Sequence, residues 1–146
     1  MCLARAIVVG GTYVDKDDTA EWKIAWKTIQ RSDRAKQGRE AELLLQQAGI
    51  SKDTPCGIPE MHKLQDVLAP RYTLKVYPLE VSEPLLFRGK NFKDGKCIHI
   101  YHHDEHFDAI TSITAFLRYS YYCAKCDYGY NNREQHKHCG SKCERY

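Results

Sequence analysis

The hydrophobic pattern of the chain changes its period near Pro70. Before that residue, apolar side chains recur every three or four positions, as in TAEWKIAWKTIQ (residues 19–30) and REAELLLQQAGI (residues 39–50). This spacing is typical of amphipathic helices, and Thr19 or Asp18 is a suitable cap for the first of them. After Pro70, short segments rich in β-branched and aromatic residues, such as YTLKVY, PLLFRG, CIHIY and HFDAITSI, read as strands. Helices followed by strands predict an α+β domain.

Glycines mark the expected ends of two helices. A short buried helix over Leu3–Val9 is expected to end at Gly10 and Gly11, because glycine is a poor helix former. The helix within residues 39–50 is expected to end at Gly49, since a glycine after the last turn adopts the left-handed conformation without strain.

Seven cysteines constrain the redox compartment and the class of site. The count is odd, four lie in the last 24 residues, and the start MCLARAIVVGG lacks the basic region of a signal peptide. This pattern is typical of metal binding plus free thiols in a reducing, intracellular setting (cytoplasm or nucleus) rather than a disulfide framework. No apolar run approaches the ~20 residues that span a bilayer, and the net charge of +3 does not demand a nucleic-acid partner.

The tail YYCAKCDYGYNNREQHKHCGSKC is the most specific motif. A Cys-x2-Cys pair is followed after 12 residues by a cysteine, and after three more by another, which is the two-plus-two spacing of a ββα zinc finger. We therefore expect a zinc module over residues 119–146, after a main domain over residues 1–118. The predicted zinc ligands are Cys123, Cys126, Cys139 and Cys143, with His136 and His138 as alternates.

The role expected of this zinc is structural, because a site closed by four protein ligands leaves no position for a substrate. The tail has five basic residues against three acidic ones. This small excess of positive charge favours docking of a protein over contact with nucleic acid, and both functions remain alternatives.

The segment IHIYHHDEHFDAI (residues 98–110) contains four histidines. His99 alternates with isoleucines, and His102 and His103 read as part of a polar turn. A second metal site using His102 and His106 is an alternative, although HHDEH is not the HExxH order of zinc peptidases. His106 differs from the others because Asp108, two positions on, would share its face of a strand.

Cys2 stands at the start of the first helix-like segment. The positive end of a helix dipole favours a thiolate there. A nucleophilic thiolate also needs a histidine nearby in space and an acid to fix the tautomer of that histidine. The pair His106 and Asp108 could supply both groups.

CLARAI, followed about 100 residues later by IHIY…HFDAI, resembles the ovarian-tumour (OTU) type of cysteine protease over residues 2 to about 113. The resemblance implies a small mixed sheet flanked by helices, and cleavage of ubiquitin-type isopeptide bonds in a ubiquitin-like protein substrate. It implies that Cys2 is the nucleophile, His106 the general base and Asp108 the orienting acid. The family has an Asp-Gly-Asn-type loop before its cysteine, where only Met1 stands here. This departure predicts a truncated or decayed hydrolase, because one oxyanion donor is worth ~10²–10³-fold in rate.

The whole layout is also similar to segments of Maverick/Polinton-type transposon polyproteins that carry a family-B DNA polymerase. The matching segments are CLARAIV, HFDAITSITAF and YYCAKCDYGYNNREQHKHC. This resemblance implies a mobile-element origin. The alternative function is therefore a non-enzymatic zinc-binding module that contacts protein or nucleic acid near such a polymerase.

Overall fold

The computed structural model describes residues 2–17, 19–31, 35–78, 85–90, 92, 95–123 and 127–132. The chain divides into two compact units, residues 1–111 and residues 112–146. The division falls seven residues before the boundary expected from composition. In the described part of the chain, no helix is long and apolar enough to cross a membrane.

The first unit is a mixed α+β fold, as the change of period predicts. Four helices precede a four-stranded sheet of order β2-β1-β3-β4, in which β1 and β3 are parallel and the other pairs are antiparallel. The elements are α1 (Cys2–Val14), α2 (Ala20–Ile29), α3 (Ala35–Ala48), α4 (Ile58–Leu68), β1 (Tyr72–Pro78), β2 (Phe87–Arg88), β3 (Lys96–His103) and β4 (His106–Ala109).

The core forms where α1 packs on the two central strands. Leu74 and Val76 of β1 lie beside Ile98 and Ile100 of β3, and all four side chains are fully buried. They join the buried face of α1 and residues of α3 and α4 in one apolar cluster. Burial of this apolar area is the main force that fixes α1 across the sheet.

The prediction that the first helix ends at Gly10 and Gly11 is wrong, because α1 continues to Val14. A Cβ atom at Gly10 would lie only 2.8 Å from Cγ2 of Ile98. The glycine therefore allows helix and sheet to approach closely, and this packing outweighs its poor helix propensity.

Two strands are shorter than the sequence predicts. In PLLFRG the strand β2 contains only Phe87 and Arg88, although the N–H groups of Leu86 and Gly89 on either side also donate to backbone carbonyls of β1. In HFDAITSI, β4 ends at Ala109, and Ser112 then caps α5 (Ile113–Leu117) by accepting a hydrogen bond from the backbone N–H of Ala115 at 3.3 Å.

The second unit contains α5 and a hairpin of β5 (Tyr121–Cys123) and β6 (Tyr128–Tyr130), in which Tyr121 stacks on Tyr130. Cys123 is half-buried at the end of β5. The other predicted zinc ligands lie outside the described residues, namely Cys126, Cys139, Cys143, His136 and His138.

Candidate active site

The site lies where the N-terminal end of α1 meets the β3–β4 hairpin. Sγ of Cys2 is 3.6 Å from Nδ1 of His106, within hydrogen-bonding distance for sulfur, although 104 positions separate the two residues. Both side chains are exposed. The structure thus brings together the thiol and the imidazole that the sequence singled out.

The direction of α1 explains this meeting. Gly10, in the middle of the helix, contacts Ile98, and Asp15, just after the helix, contacts the first residue of β3, Lys96. The helix therefore runs opposite to β3, and its first residue arrives at the end of β3. The hairpin that follows presents His106 there.

A two-residue turn sets the position of His106. His103 and His106 face each other as the last pair of β3 and β4, and Asp104 and Glu105 form the connection. Their φ angles of 46° and 65° lie in the left-handed region, which matches the twist of two-residue hairpin turns. This turn makes His103 a direct cross-strand neighbour of His106.

Asp108 bonds to His103 rather than to His106. Its Oδ2 is 2.6 Å from Nε2 of His103, and no hydrogen bond joins it to His106 in the part of the chain that the structure describes. The contact follows from the register, because Asp108 faces Tyr101 and so lies diagonal to His103 on the same side of the hairpin.

Sequence reasoning missed His103, which it placed in a polar turn. His103 is the last residue of β3, and its ring stacks on Tyr101 with a centroid distance of 4.9 Å. A two-residue turn at Asp104 and Glu105 was the signal that could have identified it. Neither residue is the glycine or asparagine that usually marks such a turn.

Two cavities meet at Cys2, and Phe107 lines both. The larger has a volume of about 580 Å³ and includes His103, His106 and Arg5 in its lining. The other, about 520 Å³, lies toward Cys56 and Glu105. The thiol is therefore accessible from two directions.

Cys56 lines the second cavity with Cys2 but has a different environment. It is half-buried, its Sγ lies 4.0 Å from the carbonyl oxygen of Thr54, and burial raises the pKa of its thiol. A raised pKa keeps the group protonated near neutral pH. Cys56 is therefore a poorer nucleophile than a thiol beside an imidazole.

The histidine segment does not gather metal ligands where the structure describes it. Across the described ranges, no three histidine, cysteine or carboxylate side chains converge on one point. His99 and His102 instead pack in tilted contacts against the rings of Tyr77 and Phe107 respectively.

Comparisons of the chain with protein-family models, curated proteins and solved structures gave no match. The residues that carry the OTU resemblance are therefore the short motifs CLARAI and IHIY…HFDAI.

Proposed function

We propose that residues 1–111 form a thiol hydrolase of the OTU-like cysteine-protease type, with Cys2 as nucleophile and His106 as general base. The observation that carries the proposal is the 3.6 Å separation of Cys2 Sγ and His106 Nδ1. A thiol at a helix N-terminus with an imidazole within reach is the arrangement that activates cysteine nucleophiles.

The proposed reaction proceeds through a thioester. His106 accepts the proton of the Cys2 thiol, and the thiolate attacks the carbonyl carbon of an amide or isopeptide bond. Collapse of the tetrahedral adduct breaks the C–N bond, and the proton on His106 passes to the leaving amine. His106 then deprotonates a water molecule, which cleaves the thioester and restores the thiol.

The backbone at the start of α1 can assist the negative charge that develops on the carbonyl oxygen. The first N–H groups of a helix have no acceptor within the helix, and in α1 two of them belong to the nucleophile Cys2 itself and to the next residue, Leu3. Such donors would act as an oxyanion hole.

In this proposal Asp108 keeps its predicted role as the acid that orients His106. Asp108 and His106 are two positions apart in β4 and so share one side of the strand, and rotation of the Asp108 side chain away from His103 would turn its carboxylate toward His106. His103 competes for the same carboxylate and would hold it in the resting enzyme.

The direct test uses a ubiquitin-type probe that carries a cysteine-reactive group at its C-terminus. We expect labelling of the wild type and of Cys97→Ala, and none of Cys2→Ala, because Cys97 lies on β3 and lines neither cavity at Cys2. Unlabelled wild-type protein with an intact fold would contradict a ubiquitin-directed hydrolase. Labelling that persists in Cys2→Ala would contradict the assigned nucleophile.

We further propose that the second unit binds one structural zinc ion. The described β5–β6 hairpin supports this, because a hairpin with Cys123 at the end of its first strand resembles the first half of a ββα finger. The ligands would be those predicted from the sequence, and the ion would stabilise the fold of this unit.

Native mass spectrometry of freshly purified protein, with and without a chelator, tests for this zinc. We expect one bound ion that the chelator removes, and a weaker affinity in Cys123→Ser. Metal-free protein would contradict the proposal. A bound ion together with a negative ubiquitin-probe result would favour the alternative, a non-enzymatic zinc module for contact with protein or nucleic acid.

A further inference from the structure

We infer that the cavity of about 580 Å³ beside Cys2 contains a subsite for a carboxylate, formed by Arg5. This subsite would favour substrates with an acidic group near the cleaved bond. Its catalytic meaning rests on the proposed hydrolase, whereas capture of an anion near Cys2 can be measured whether or not the protein is an enzyme.

The first support is position. Arg5 follows Cys2 by three residues in α1, and side chains three apart lie on one helix face with Cβ atoms ~5–6 Å apart. Both residues line the same cavity, and Arg5 is half-buried there. A group bound by the guanidinium would therefore occupy the same cavity as the sulfur.

The second support is the way in which the guanidinium is held. Nη1 of Arg5 donates a hydrogen bond of 2.9 Å to Oε1 of Gln37. Gln37 is only 5% exposed, and its Nε2 donates to the carbonyl oxygen of Ile29 at 2.8 Å. Because the buried amide is fixed at both ends, it orients the guanidinium in advance, which lowers the entropic cost of binding a ligand.

Gly38 also contributes to this arrangement. A Cβ atom at this position would lie 3.1 Å from Nη2 of Arg5. The guanidinium thus packs closely against the backbone of α3, which restricts its movement further.

The third support is charge. In the part of the chain that the structure describes, no carboxylate forms an ion pair with Arg5, and Gln37 accepts the one side-chain hydrogen bond that its guanidinium donates. Asp108 is the one carboxylate among the described residues that line the cavity, and it is bonded to His103. A planar carboxylate matches the fork of a guanidinium and would supply the missing charge.

Alkylation of Cys2 by two small reagents provides the test. Iodoacetate and iodoacetamide differ in charge but react by the same displacement, in which the thiolate forms a C–S bond and iodide leaves. The ratio of their rates at Cys2, followed by peptide mass spectrometry with Cys97 as internal standard, measures attraction of an anion to the site.

We expect the ratio of the iodoacetate rate to the iodoacetamide rate to fall roughly three- to sevenfold in Arg5→Gln. This is the effect of removing one positive charge ~7 Å from the reagent carboxylate at an effective dielectric constant of ~40–80. Arg5→Lys should keep most of the ratio. Lys63→Gln, which removes an exposed charge that lines neither cavity at Cys2, should keep all of it. An unchanged ratio in folded Arg5→Gln would overturn the subsite.

Gln37→Glu provides a second variant that leaves Arg5 in place. A carboxylate at this position would neutralise the guanidinium, so the ratio should fall as in Arg5→Gln; a ratio equal to that of the wild type would contradict the inference. The absolute rate with neutral iodoacetamide reports on the hydrolase instead. If His106→Ala leaves that rate unchanged, the proposed catalytic pair fails while the subsite can still stand.

Discussion

The two ends of α1 each hold a group that carries or develops negative charge, and their surroundings differ. At the N-terminal end, Cys2 has a single polar partner among the described residues, His106, and both are exposed. Just after the C-terminal end, the carboxylate of Asp15 accepts hydrogen bonds from the Tyr72 hydroxyl and from Nζ of Lys96, the latter at 2.9 Å. Arg71 adds a further positive charge at 3.7 Å.

The helix dipole explains why the two ends need different surroundings. A negative charge is stabilised near the N-terminus of a helix and destabilised near its C-terminus. Cys2 has the favourable position and can remain accessible to a substrate. Asp15 has the unfavourable one, and its partners offset both the dipole and partial burial.

The pKa values around Asp15 follow from these contacts. Burial alone would raise the pKa of Asp15, but the hydrogen bonds from Tyr72 and Lys96 and the charges of Lys96 and Arg71 outweigh it, so the pKa is lowered. Burial, followed by the bond to Asp15, raises the pKa of Tyr72 to about 12. The comparison indicates that polar contacts at the C-terminal end fix α1 to the first residues of β1 and β3, and that the N-terminal end is available for chemistry.

The largest effect should come from the N-terminal end. His106→Ala is expected to lower kcat/KM for a cleavable ubiquitin-type substrate by about 10²–10⁴-fold, the usual value of a general base. Asp15→Asn should leave kcat/KM near the wild-type value, because Asp15 lies at the opposite end of the helix. Equal losses in the two variants would show that the ends are not functionally distinct.

The next largest effect is expected at Gly10, which lies between the two ends of α1. Gly10→Ala should lower the free energy of unfolding by up to about 2 kcal/mol, because overpacking against Ile98 costs ~1–3 kcal/mol and the gain in helix propensity is only ~1 kcal/mol. Gly11→Ala is the matched control. Its Cβ atom would lie 3.7 Å from Ile98, an ordinary contact, so it should be neutral or stabilising in urea unfolding.

The C-terminal end should show its effect in the pH dependence of stability. Asp15→Asn is expected to cost about 1–2 kcal/mol at pH 7, since it removes charged hydrogen bonds at a partly exposed site. The lowered pKa means that this contribution is present above pH ~4 and is lost as the pH falls through the folded-state value. Thermal unfolding from pH 7 to pH 2 should therefore show the difference from the wild type shrinking, and a constant difference would contradict the assignment.

The smallest effect should come from the turn that presents His106. Glu105 has a left-handed φ of 65°, which costs an ordinary residue roughly 1 kcal/mol relative to glycine. Glu105→Gly should therefore raise the free energy of unfolding by up to about 1 kcal/mol. Asp53→Gly, at an exposed position in the connection between α3 and α4, should give no such gain.

Local signals predicted those elements whose ends are determined by nearby residues. Thr19 caps α2 by accepting a hydrogen bond from the N–H of Trp22 at 3.1 Å, and Gly49 ends α3 with a φ of 71°. The error at Gly10 has a different origin. A glycine is needed at position 10 because Ile98 packs against it. The two residues are 88 positions apart, and a local sequence pattern does not show contacts between residues so far apart in the chain.

The same distinction applies to the candidate site. His106 and Asp108 were recognisable because two residues of one strand share a face. The pairing of Asp108 with His103 depends on a two-residue turn that lacks the usual glycine or asparagine. The closeness of Cys2 and His106 was expected from chemistry and from the OTU resemblance. No local sequence pattern predicts the distance between the two side chains, because 104 positions separate them.

The long sequence separation of Cys2 and His106 has a consequence for the newly made chain. At ~5–20 residues per second, translation adds His106 roughly 5–20 s after Cys2. Throughout that interval the thiol has no base, because its partner belongs to the last hairpin of the unit. The proposed catalytic pair can therefore form only after nearly the whole of residues 1–111 has been synthesised, and a partly made chain would lack it.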